Sequence, residues 1–167
     1  MNGNQTVTAT FTQDVYSLTI IKIGNGTVTK SLDHATYHYG DAVHLTATAD
    51  PGWTFTGWSG AGCAGAGACD VTMNDNQTVT ATFTQGEYTL TIDKVGSGSV
   101  VVDPVKSTYH YGDMIQLTAT ADTGWSFGGW SGDASGLDKP ISITIKGNMS
   151  ITANFFQYKI YNPIIHR

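Results

Sequence analysis

The residues in this sequence best placed for covalent chemistry are its two cysteines, Cys63 and Cys69, in CAGAGAC (63–69). The glycine and alanine between them let the chain curl back on itself. Two thiolates without a neighbouring histidine pair make a poor zinc site. Joining them removes roughly 2–2.5 kcal/mol of loop entropy from the unfolded chain in the chain-entropy account. A disulfide is therefore expected, and with it an oxidising compartment.

Other reactive groups are thin. His38 and His110 each sit inside a Tyr-His-Tyr run and read as strand residues rather than ligands. Asp133, Ser135 and Asp138 faintly suggest a calcium loop, but the twelve-residue pattern with its terminal Glu is missing. Asn4, Asn25, Asn76 and Asn148 lie in N-x-S/T sequons and read more simply as turn residues entering strands. With no Ser/His/Asp set, catalytic carboxylate pair or phosphate loop in view, the chain reads as a non-enzyme without metal or cofactor. Two aromatic runs, GWTFTGWSG (52–60) and GWSFGGWSG (124–132), leave one alternative open. Trp58 and Trp130 either fill a small core or present a face for stacking on a sugar ring.

The net charge of −5 lacks the Lys/Arg stripe that nucleic acid requires. No polybasic amphipathic stretch suits a membrane surface, and no apolar run has membrane length. With 13 % charged and 40 % hydrophobic residues, the chain is too apolar for disorder.

What positions these residues is a repeat. Residues 1–13 recur at 73–85 with one difference, Gly3 against Asp75, and the offset of 72 continues without a gap. YHYGD (37–41) returns at 109–113, and nearly half of residues 15–85 are identical to their counterparts. A fixed period of this length means tandem small domains. The frame divides the chain into 1–13, expected to be the last strand of a missing preceding repeat, repeats at 14–85 and 86–157, and a tail at 158–167. Gln85-Gly86-Glu87 is too short a linker for free swivelling and favours a stiff rod.

Within each repeat the pattern is β. Val79, Ala81 and Phe83 alternate with threonines, as do the apolar residues of 88–92 and 115–121. Asn74-Asp75 and Gly24-Asn25-Gly26 read as tight turns, the former joining 71–73 to the next strand as a two-residue hairpin would. A single helical turn is conceivable only at 30–37 or 104–109.

These motifs in order, YTLTIDKVGSGSV (88–100), YHYGDMIQLTATADTGWSFGGWSG (109–132) and SITANFF (150–156), with their counterparts in the first repeat, resemble the divergent InlB B-repeat family, related to the Listeria–Bacteroides repeats. The resemblance covers most of the chain. It implies two small, mainly β, β-grasp-like domains with little or no helix, strung along secreted or surface bacterial proteins and without catalytic residues. The expected role is a structural stalk or spacer in an adhesive protein outside the cell. The alternatives are a glycan- or protein-binding module, and a fibre subunit polymerising through unpaired strands. For the last, Gln5, Val7, Ala9 and Phe11 mark a strand expected to pair head-to-tail with another copy, against its tail at 158–165, or else to lie along the first repeat.

Overall fold

In a computed structural model describing residues 3–158, the chain divides into two compact units that meet between Thr84 and Gln85. Among the described residues there is no helix, in keeping with the mainly β expectation, and the short turns conceivable at 30–37 and 104–109 are absent.

Unit one contains β1 (Val15–Tyr16), β2 (Leu18–Ile23), β3 (Gly26–Lys30), β4 (Tyr37–His38), β5 (Ala42–Ala49), β6 (Trp53–Gly60), β7 (Cys63–Gly65), β8 (Cys69–Thr72) and β9 (Gln77–Gln85). One sheet has the order β2-β9-β6-β7 and a second the order β3-β5-β8, with β1 paired to β4. The first and last long strands are parallel neighbours, Leu18 opposite Gln77 through Ile23 opposite Thr82. A parallel pair needs a long crossover, and here the crossover is the rest of the unit.

Unit two repeats this with β10 (Leu90–Val95), β11 (Gly98–Asp103), β12 (Met114–Ala121), β13 (Trp125–Gly132), β14 (Ile141–Thr144) and β15 (Met149–Gln157). Its sheets are β10-β15-β13 and β11-β12-β14, and β10 again runs parallel to β15. A single bridge, Tyr88 with Tyr109, stands where unit one has β1 and β4.

The alternation seen in the sequence is the core pattern. Val79, Ala81 and Phe83 of β9 are buried in one cluster with Val43 and Leu45 of β5 and Val71 of β8, so the two sheets close on each other. Ile151, Ala153 and Phe155 do the same in unit two against Ile115, Leu117 and Ile143. Threonines take the other face of β9, where their branched Cβ suits the pleat.

The tight turns are not hairpins. Gly24-Asn25-Gly26 carries the chain from β2 in one sheet to β3 in the other, and Asn74-Asp75 carries it from β8 back to β9. Gly24 and Gly96 have φ of 82° and 83°, and a Cβ at either would run into the carbonyl of Phe83 or Phe155. Glycine is required there both by the left-handed backbone and by the closing strand passing beneath it.

Phe155 is 1 % exposed and packs on Phe127 at a ring separation of 5.7 Å. Truncating it to alanine should cost about 3–5 kcal/mol. The expected outcome of Phe155→Ala in urea is loss of the unit-two transition, with the unit-one transition in place.

Candidate functional site

The cysteines are joined, with Cα atoms 5.2 Å apart. Cys63 opens β7 in the first sheet and Cys69 opens β8 in the second, so the bond staples the two sheets together. Both residues are buried. The short strand β7 also covers the outer edge of β6, with Trp58 opposite Gly65 and Gly60 opposite Cys63. An uncovered edge would offer unpaired backbone groups to other chains. In unit two Ser135 and Ile141 stand at these positions. There the loop holds on by a bridge between Trp130 and Gly136 and by the Trp130 indole N–H, which donates to the Asp138 carbonyl at 2.9 Å.

Trp58 and Trp130 are 5 % and 4 % exposed, so of the two readings open at these positions they take the core one, and the alternative of a sugar platform falls: neither offers a face for a ring to stack on. Phe127 and Trp130 lie three apart, a spacing that would put them on opposite faces of a regular strand. The register against β15 skips Gly128, and this bulge turns Trp130 inward. Its ring meets Phe127 edge-on at 5.1 Å, as Trp58 meets Phe55 at 4.9 Å.

The Tyr-His-Tyr runs are clamps on the turn that follows. Tyr37 and Tyr109 are buried, and their hydroxyls donate to the carbonyls of Leu32 and Pro104. Asp41 and Asp113 accept from the backbone N–H of His38 and His110. Lys106 also donates to Asp113 at 2.8 Å, and these two contacts hold the Asp113 carboxyl below the ordinary carboxylate range. The carbonyl of Met73 then accepts from Gly40, and that of Ile145 from Gly112, tying each clamp to the segment ahead of the closing strand.

Two of the four sequon asparagines act in the same way. Asn76 Oδ1 accepts from the N–H and hydroxyl of Ser17, and Asn148 Oδ1 from those of Thr89, fixing the start of the parallel ladder. Asp133, one of the three residues with a calcium-loop look, accepts from the backbone N–H of Ser150 at 2.7 Å. Among the described residues no three His, Cys, Asp or Glu side chains gather as metal ligands. Sequence reasoning missed the pair His44–Asp70, 2.7 Å apart across β5 and β8. The repeat gave no signal for it, because Gln116 and Ser142 stand there in the second copy.

Residues 3–14 form no strand and are exposed, with Val7 and Phe11 each 91 % accessible. The strand expected at 4–12 thus does not lie along the first repeat. The tail expected to pair with it falls, apart from Tyr158, outside the described residues; the N–H of Tyr158 donates to Gly124.

A family profile for the divergent InlB B-repeat domain matches residues 16–87 and again 88–159. The chain belongs to this family. Each match encloses one parallel pair of first and last strands, so the InlB-type repeat and the sandwich coincide. Such repeats are typically non-catalytic surface modules, which agrees with a structural role for this chain. No curated protein matches it.

Because unit one alone has the staple, reduction should act on it alone. The expected result is a loss of about 2–2.5 kcal/mol from unit one, read as a lower melting temperature for that transition while unit two melts unchanged. Thermal unfolding with and without reductant, with thiol titration under denaturant, checks it.

Proposed function

We propose that this InlB-type segment is a non-catalytic stalk or spacer that carries tension outside the cell. The observation that supports this most strongly is the parallel pairing of β2 with β9 and of β10 with β15. Force arriving at the start of the first long strand leaves at the end of the last one. Parallel neighbours pulled from opposite ends slide along each other, so the hydrogen bonds of the ladder are strained together. Strands pulled from the same end unzip, breaking their bonds in sequence. Asn76 and Asn148 anchor the ladder at the end where force enters. The disulfide, together with a family typical of secreted and surface proteins, supports the extracellular placement.

Pulling single molecules from end to end tests the reading. Two discrete unfolding events of similar length are expected. Under oxidising conditions the unit-one event should be shorter by roughly 1.6 nm, because six residue steps of up to about 3.6 Å are replaced by the 5.2 Å span of the cystine. Gradual extension without discrete events would contradict the reading.

A further inference from the structure

Asn25-Gly26 stands in the turn that carries the chain from β2 to β3, and the second copy has Ser97-Gly98 there. An asparagine followed by glycine can close on itself, because the glycine amide nitrogen reaches the side-chain carboxamide with no Cβ to obstruct it. Here the carboxamide belongs to an exposed residue. The Asp50 N–H donates to the Asn25 carbonyl at 3.4 Å and the Ser31 N–H to the His44 carbonyl, so odd-numbered residues of the edge strand β3 bond to β5. Gly26, opposite Ala49, falls in the alternate pair whose backbone groups point away from the partner strand. Its carbonyl accepts from the Lys22 ammonium on that side, and its N–H stands outside the ladder with β5. The bond from Asp50 also draws charge from the peptide unit that contains the Gly26 nitrogen, which favours loss of the N–H proton.

We propose that Asn25 is a self-modification site whose conversion weakens unit one with age and spares unit two. The Gly26 nitrogen gives up its proton and bonds to Cγ of Asn25, the Cγ–Nδ2 bond breaks, and ammonia leaves with that proton. Water then opens the resulting succinimide. Attack at Cγ leaves an aspartate; attack at the main-chain carbonyl leaves an isoaspartate, whose backbone is one carbon longer. The sum exchanges water for ammonia, and nothing is oxidised or reduced. The turn has no slack for the extra carbon: a Cβ on Gly26 would run into the Phe83 ring, and one on Gly24 into the Phe83 carbonyl and the Trp53 ring. Either product also places a carboxylate opposite Asp50. In unit two the side chains at these positions meet as the Ser97 hydroxyl and the Asp122 carboxylate, whereas like charges directly opposite repel. Because Gly26 is buried against Phe83, opening of the turn paces the reaction, and the folded protein reacts more slowly than the free peptide. Ser97 has no carboxamide and cannot follow. The proposal rests on this turn and not on the stalk reading.

The test incubates the whole oxidised chain in warm, mildly alkaline buffer and then digests it with trypsin. Cleavage after Lys22 and Lys30 isolates residues 23–30 and so separates Asn25 from the other Asn-Gly pair, at 2–3. A synthetic peptide of residues 23–30, incubated alone, serves as the reference. The expected result is the mass change for replacing NH2 by OH at Asn25, at a rate rising in proportion to hydroxide, with isoaspartate detected by isoaspartyl methyltransferase labelling. The unit-one melting temperature should fall as conversion proceeds while that of unit two holds. Asn25→Ser, which installs the residue of the second copy, should keep the unit-one transition in place through the same incubation. Asn25 intact in the folded chain when the reference peptide is fully converted overturns the proposal. So does conversion that leaves the unit-one transition unmoved, or an equal fall of that transition in Asn25→Ser.

Discussion

Each unit depends on its last strand returning to lie parallel to its first. Until residues 77–85 arrive, β2 and β6 have no common neighbour, and Val43, Leu45 and Val71 face no opposing apolar sheet. The other features serve that closure. Gly24 and Gly96 clear space for the carbonyl of the arriving strand, Asn76 and Asn148 hold its start, and the aspartate turn ties down the segment before it. A fold built on such distant contacts loses a large loop-closure entropy before any favourable contact forms. That entropy explains why these small units devote so many side chains to pinning turns.

The two copies meet the requirement by different means. Unit one has a covalent tie between its sheets and a core with Val43, Val71 and Val79. Unit two lacks the tie and has Ile115, Ile143 and Ile151 in the same places. Three additional buried methylenes at about 0.8 kcal/mol each come to about 2.4 kcal/mol. The disulfide is worth roughly 2–2.5 kcal/mol, so the two solutions are of similar size. The cystine also holds β7 over the edge of β6, a second service that in unit two falls to the backbone bridge at Gly136 and the Trp130 indole.

Much of this was legible in the sequence because the repeat shows each element twice. The alternation in 77–85 named the buried face, and the spacing of the cysteines named the bond. The turn at Asn74-Asp75 misled because Asn-Asp is compatible both with a hairpin and with a crossing between sheets; only the position of distant strands separates the two. Trp58 and Trp130 were ambiguous for a related reason. A bulge at Gly128 moves Trp130 from the outer to the inner face, and strict two-residue counting does not see it. Residues 4–12 were readable as a strand by pattern, yet a strand needs neighbours, and within this chain the places beside β2 and β6 belong to β9.

In the proposed stalk role, the direction of the closing strand, rather than the composition of the core, would set each unit's resistance to tension. The measurement that tests it most directly compares two pulling geometries on one folded unit. Unit two would be held at Glu87 and Gln157, which slides β10 against β15, and separately at Glu87 and Gly147, which peels them away from each other at one end. The account predicts a rupture force severalfold higher in the first geometry. Equal forces in both would contradict it.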